Sequence, residues 1–158
     1  MEVRLALRLA LSLTILILLQ ACSKTAKSPQ DEIRGFIKSG VEAAEDRNLD
    51  ALNDLIHDNY LDQKGYNKQR LGGLLRAYIV RHKNIYLFTR VAKIDLLAEN
   101  EAVVRVYVAM AGSVISDIDT LAELRAQLYE FELQLIREDD DWLLHHASWR
   151  PAAIIDFE

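Results

Sequence analysis

The sequence predicts an α+β domain in which three N-terminal helices pack on an antiparallel sheet. Two observations predict it. Apolar residues recur at helical spacing between residues 33 and 82, and from residue 84 onward they alternate at the two-residue spacing of strands. Helices gathered ahead of strands are typical of α+β folds rather than of alternating α/β folds. A length of 158 residues, 51% of them apolar, suits one globular domain.

Each predicted helix begins at a residue whose side chain can cap it. Ser28, followed by Pro29, starts a first helix that runs to about Arg47. Asn48 starts a shorter second helix that ends near residues 57–59, and Asn67 starts a third. A loop is predicted between the second and third helices. The apolar stripes of the three helices are Ile33, Phe36, Ile37, Val41 and Ala44, then Leu52, Leu55 and Ile56, then Leu71, Leu74, Leu75, Tyr78, Ile79 and His82.

The second half of the chain predicts a meander of strands. Alternating segments are separated by short polar turns, of which the acidic turn at residues 138–141 is the clearest. The tail after Pro151 is apolar enough to dock on the domain. The predicted strands cover residues 85–97, 102–110, 127–135 and 142–150, with a loop or short helix at residues 113–120.

The N-terminus has the layout of an export signal. Arg4 and Arg8 precede an apolar run from Leu9 to Leu19, which is shorter than the roughly 18 residues needed to span a bilayer. We therefore assign residues 1–21 to a signal peptide rather than to a membrane-spanning helix.

The end of this signal, Leu19-Gln20-Ala21-Cys22, resembles the bacterial lipobox. The resemblance implies cleavage between Ala21 and Cys22 and attachment of lipid to the Cys22 thiol, which would anchor the protein in the cell envelope. An Asp directly after the cysteine resembles a signal for retention in the inner membrane. The residue here is Ser23, which favours the outer membrane, with the domain facing the periplasm. Residues 22–29 then form a lipidated N-terminus and flexible tether. An ordinary secretory signal with a stray cysteine is the alternative, although Cys22 is the only cysteine in the chain.

The remaining residues, 30–158, resemble the nuclear transport factor 2-like superfamily. The resemblance rests on the order of elements and on three segments: the polar break between the first two helices at residues 45–52, the loop at residues 58–62, and Asp141-Trp142-Leu143-Leu144. It implies a curved sheet wrapped round the helices as a cone, with an apolar pocket at the open end. It also implies frequent dimerisation through the convex face of the sheet.

In such a cone, the even positions from 104 to 110 and the odd positions from 127 to 135 are expected to face the helices. The intervening side chains then lie on the convex face, where Arg105 is expected to pair with Glu130 or Glu132 across strands. Tyr107 and Leu128 are expected among them, either in a homodimer interface or on a solvated surface. His145 and His146 are expected on opposite faces of the last strand, and so are Trp142 and Trp149 if that strand is regular.

The sequence carries no catalytic signature. The net charge of −5 argues against nucleic-acid binding, which needs a basic footprint. We expect no metal and no cofactor, since no spacing of His, Cys, Asp or Glu predicts a ligand set and no glycine-rich phosphate loop is present. Catalytic residues remain unknown. The candidate ligand-binding residues are Tyr60, Asp62, Tyr129, Phe131, His146 and Trp149.

Three hypotheses remain open for the function. The first is a non-catalytic, lipid-anchored protein that binds a small apolar ligand or a protein partner. The second is an acid–base enzyme acting on a hydrophobic substrate through Asp62 or His146, since an apolar pocket raises the pKa of a carboxyl group. The third is a dimeric scaffold whose own side chains fill the pocket. For Asp62, turn formation is the alternative to a functional role, and for the aromatic residues it is core packing.

Overall fold

In the computed structural model, which describes residues 27–114, 118 and 126–158, all three helices begin at the predicted caps. Helix α1 covers Pro29–Glu45, α2 covers Leu49–Asp54 and α3 covers Lys68–Arg81. The side chains of Ser28, Asn48 and Asn67 each accept a hydrogen bond from a backbone N–H of the first turn. The predicted signal peptide, Cys22 and most of residues 113–120 lie outside the described residues.

Five strands form one mixed sheet, in the order β1-β5-β4-β3-β2. Three adjacent pairs are antiparallel, but β1 runs parallel to β5. The prediction of a purely antiparallel sheet is therefore wrong at this edge. The strands cover Ile56–Asp62 (β1), Tyr86–Ala98 (β2), Glu101–Ala111 (β3), Gln127–Glu138 (β4) and Asp141–Pro151 (β5).

Strand β1 also corrects the predicted end of the second helix and the loop that follows it. Helix α2 stops at Asp54, and Ile56 already pairs with Leu144 of β5. Asp58 and Asn59 are poor strand formers, which made the segment resemble a loop. Burial of Ile56 and Tyr60 against Ala147 of β5 outweighs that local preference.

The two faces of β3 and β4 are as predicted. Val106 and Phe131 point towards the helices, and Val104 and Leu135 pack against Ile33 of α1. On the convex face, Arg105 pairs with both Glu130 and Glu132 of β4. Its Nε lies 3.5 Å from Oε1 of Glu130, and its Nη2 lies 3.8 Å from Oε2 of Glu132.

Strand β5 is not regular, because it contains a bulge at His145. Leu144 pairs with Leu135 and His146 pairs with Gln134, so His145 is an extra residue between consecutive pairs. The prediction that the two tryptophans face opposite sides held only for a regular strand, and the bulge removes that condition. Trp142 packs in the core cluster of α1 and Trp149 pairs with Phe131, so both face the helices.

The C-terminal tail lies on the convex face of the sheet. After Pro151, a 3₁₀ turn at Ile154–Phe157 carries Phe157 onto Ala109, where its side chain is 2% exposed. Phe157 packs against Tyr107 and Leu128. The tail thus covers part of the surface on which a homodimer was expected, and the dimer itself stays a prediction.

Candidate functional site

A cavity of about 310 Å³ lies between the three helices and the concave face of the sheet. Helix α1 forms one wall, α3 forms another, and strands β2, β3 and β4 form the floor. Only a few of the lining residues are buried, among them Ile56, Ile79, Ile85 and Val106. The others keep part of their surface accessible, so the cavity is not filled by its own lining. The lining side chains from α1 and α3 are Phe36, Ile37, Val41, Ala44, Leu71, Leu75, Tyr78 and Ile79.

The lining is apolar apart from two hydroxyl groups. Tyr78 and Thr89 carry the only side-chain polar atoms among the lining residues, and none of those residues is an acid, a base or a histidine. Such a surface binds apolar groups by releasing water, and it places at most one or two hydrogen bonds on a ligand. Among these side chains, Tyr78 alone carries a proton of the kind that acid–base chemistry uses, and no carboxylate or imidazole accompanies it in the lining.

Tyr78 forms the more polar end of the cavity. Its ring stacks on the imidazole of His82 with 4.2 Å between centroids. Burial raises the pKa of the Tyr78 hydroxyl, and the nearby Tyr129 hydroxyl adds to the increase. Tyr78 therefore stays protonated at neutral pH and offers a hydroxyl donor to a ligand.

Gly72 brings α3 close to α2. A Cβ atom at this position would lie 3.1 Å from Oδ1 of Asn53, which is tighter than ordinary contact. A Cβ atom at Gly73 would meet nothing within 4 Å, so Gly73 is not needed for a close approach to any described residue. Leu52 and Leu55, on either side of Asn53, line the cavity.

The six candidate ligand-binding residues do not form one cluster. Phe131 lines the cavity, and Tyr129 and Trp149 flank it, each with its ring centroid 6.1 Å from that of Phe131. Tyr60 is 2% exposed and packs in a separate cluster with Ile56 and Ala147. His146 pairs with the outward-facing Gln134, so the expectation that it projects into the cone is wrong.

Asp62 holds a turn. Its Oδ1 accepts hydrogen bonds from the backbone N–H groups of Lys64 at 2.8 Å and Tyr66 at 2.9 Å. Its Oδ2 is buried without a hydrogen-bond partner among the described residues. Burial, and secondarily the charge of Asp62, raise the pKa of Tyr60 well above its usual range. Neither side chain contributes to the cavity lining.

The sequence did not single out the cavity walls on α3 and β3. Leu71, Leu75, Val106 and Val108 were recognised only as apolar positions facing a core. The same periodicity fits a filled core and a cavity wall, so no sequence signal separated the two. Tyr78, a polar residue within an apolar stripe, was the one available indication.

Two features are absent from the residues that the structure describes. No group of three or more His, Cys, Asp or Glu is arranged to hold a metal ion in this part of the chain. Within the same ranges, no helix combines the length and the apolar content needed to cross a bilayer.

Comparison with known proteins identifies the fold. No protein-family model matches the chain, and no curated protein matches it. Among solved structures, an NTF-2-like protein of unknown function from Shewanella oneidensis is 20% identical, with a TM-score of 0.58 over 77% of this chain and 98% of that one. A putative scytalone dehydratase from Novosphingobium aromaticivorans is 13% identical, with a TM-score of 0.66 over 78% of this chain and 84% of that one. An NTF2-like protein from Cytophaga hutchinsonii is 14% identical, with a TM-score of 0.59 over 80% and 100%.

Proposed function

The domain has the nuclear transport factor 2-like fold, and we propose that it binds a small apolar ligand in its cavity, without catalysis, while a lipid on Cys22 anchors the protein in the bacterial envelope. One observation carries the binding proposal. A cavity of about 310 Å³ is lined by side chains that offer two hydroxyl groups and no carboxyl, amino, guanidinium or imidazole group. An apolar chamber of this kind is suited to holding a hydrophobic molecule, and it lacks the carboxylate or imidazole that most often acts as a general base.

The cavity limits the size and chemistry of the ligand. An apolar cavity of about 150 Å³ binds benzene, so one about twice as large suits a molecule of two or three rings or a short branched chain. The hydroxyl groups of Tyr78 and Thr89 would accept or donate one hydrogen bond each. The proposed ligand therefore has a hydrophobic body and at most one polar end.

The two other hypotheses have less support. Acid–base catalysis was expected to use Asp62 or His146, but Asp62 holds a turn and His146 lies on the outer face. A scaffold whose pocket is filled by its own side chains does not account for the cavity volume. Ligand binding is the function that the lining supports best.

Binding is tested by filling the cavity. Val108 lines it, and Val103 on the same strand lies on the convex face opposite Gln134. Val108→Phe places a ring in the chamber and is expected to lower the affinity for the fluorescent probe N-phenyl-1-naphthylamine at least tenfold. Val103→Phe, the matched control, is expected to leave the affinity unchanged. Equal probe binding by both variants, with both folded by circular dichroism, would contradict the proposal.

The anchor is tested separately. Cys22→Ala should release the protein from the membrane fraction and remove the mass of the attached acyl chains, whereas Ser23→Ala should change neither. Native mass spectrometry of the detergent-extracted protein reports the lipid, the number of copies and any retained ligand together. If Cys22→Ala changes neither the membrane association nor the mass of the protein, the lipoprotein assignment is wrong.

A further inference from the structure

Charge is distributed very unevenly along this acidic chain. Residues 63–94 contain eight Lys or Arg and no Asp or Glu. All 24 acidic residues therefore lie in the remainder, where they outnumber 11 basic ones. The net charge of −5 conceals a basic segment whose centre is helix α3.

The outer side of α3 combines basic and apolar side chains. Its inner side, with Leu71 and Leu75, lines the cavity, and the opposite side is exposed. On the exposed side, Leu74 is 47% and Val80 78% accessible to solvent. We call the set Arg70, Leu74, Arg76, Val80 and Arg81 the basic helix face.

The arginines of this face have no acidic partner in the described part of the chain. Other basic residues of the segment do: Lys68 pairs with Asp58 at 2.9 Å, and Lys93 pairs with Asp95 at 2.9 Å. Arg70 lies over the ring of Tyr66, with its Cζ 4.6 Å from the centroid. Arg76 and Arg81 form no ion pair with any described residue, so their charges are available to an external anion.

We propose that the basic helix face docks on the surface of an anionic phospholipid membrane. Cationic side chains flanking exposed apolar ones are the combination that binds helices at such interfaces, because the charges meet phosphate groups while the apolar side chains enter the headgroup region. The geometry of attachment supports this partner over an acidic protein. The seven residues from Cys22 to Ser28 reach at most about 25 Å, so a lipid on Cys22 holds the domain beside the bilayer. In this respect the inference rests on the proposed function.

Docking would place the cavity next to the lipid surface. Helix α3 presents its basic face outward and its cavity wall inward, so a single helix separates the membrane from the chamber. A hydrophobic ligand dissolved in the bilayer would then reach the chamber past one helix, without crossing bulk water.

The test uses the full-length protein reconstituted into vesicles. An environment-sensitive fluorophore is attached through Val80→Cys, where Cys22 is blocked by its lipid, and the vesicles are phosphatidylcholine alone or with about 30% phosphatidylglycerol. We expect a blue shift with anionic vesicles that raised salt reverses, because screening weakens surface electrostatics. The same fluorophore attached through Ile155→Cys, which is 67% exposed on the tail, is expected not to shift.

Charge variants test the residues themselves. Each arginine near an anionic surface is worth about fivefold in the ratio of docked to undocked protein, so Arg76→Gln with Arg81→Gln should lower that ratio roughly 25-fold. The matched control, Arg34→Gln with Lys38→Gln, removes the same charge from exposed positions of α1 and should leave the ratio unchanged.

The outcomes separate this proposal from the anchor. If the protein floats with neutral vesicles but the residue-80 fluorophore is indifferent to phosphatidylglycerol, the anchor stands, the docking proposal is overturned and an acidic protein becomes the partner to seek. If the protein does not float with neutral vesicles, the anchor fails. Docking is then supported if the protein floats with anionic vesicles and is overturned if it does not.

Discussion

The C-terminal tail is expected to contribute substantially to stability through a single side chain. Phe157, the residue before the last, is 2% exposed and packs against Phe88, Tyr107, Ala109 and Leu128. Replacing a buried Phe with Ala typically costs about 3–5 kcal/mol. Because the tail adds no strand to the sheet, it can detach without unpairing one, and the loss of stability cannot exceed the free energy of its docking. We therefore expect Phe157→Ala to lower the free energy of unfolding by about 3 kcal/mol, the lower end of that range.

The tail offers its own matched control. Ile155 lies in the same 3₁₀ turn but is 67% exposed, so Ile155→Ala should change the free energy of unfolding by less than about 0.5 kcal/mol. Urea denaturation followed by tryptophan fluorescence measures both variants. Hydrogen exchange at the amide of Ala152, which donates to the carbonyl of Leu128, should accelerate in Phe157→Ala only.

Two results would refute this reasoning. If both variants lose the same small amount of stability, Phe157 does not anchor the tail. If Phe157→Ala is strongly destabilised while the amide of Ala152 remains protected, the loss arises elsewhere than in detachment of the tail.

Two further predictions concern other buried groups. The folded-state pKa of Tyr60 is raised above its ordinary value of 10.0, so the unfolded chain ionises first and the free energy of unfolding should fall as pH rises above about 10. Tyr60→Phe should lessen this fall in alkaline urea titrations, and identical pH profiles for wild type and Tyr60→Phe would contradict the assignment. Arg47 has a positive φ of 59°, and its side chain donates to the carbonyls of Ile79 and Lys83 near the end of α3. Arg47→Gly and Arg47→Ala both lose these hydrogen bonds, but only glycine relieves the strain of the positive φ, so Arg47→Gly should be about 1 kcal/mol more stable than Arg47→Ala by thermal denaturation. Equal stabilities would show that the backbone is unstrained.

The helices could be predicted from the sequence because their signals are local. Ser28, Asn48 and Asn67 each bond to a backbone N–H three residues away, within the window that a sequence pattern covers. Alternation in β3 and β4 was equally direct, because each strand has one face towards the helices and one face outside.

Strand β1 could not be predicted in the same way. Its partner β5 lies more than 80 residues further along the chain, and the Asp58-Asn59 pair conceals its strand character. The bulge at His145 was hidden for a similar reason. Nothing in the residues around 145 indicates an extra residue, and it is recognised only from the partners of its neighbours on β4.

The cavity and the basic helix face show a different limit. An apolar stripe such as that of α3 predicts burial, but not whether the facing side chains leave a space. The total charge of −5 is an average over the chain, so it obscured a segment without a single acidic residue. In both cases the sequence shows which residues are apolar or basic, but not how they are arranged in space.

The extra residue in β5 bears on how distant relatives should be aligned to this chain. On both sides of His145, the residues of β5 keep regular partners on β4. A related protein without this extra residue would therefore have a last strand that superimposes on β5 both before and after the bulge. The correct alignment would then carry a one-residue gap, whereas an ungapped alignment would match Trp149 to a solvent-facing position. At identities of 20% or less, that single offset would be enough to hide which residues of β5 face the helices.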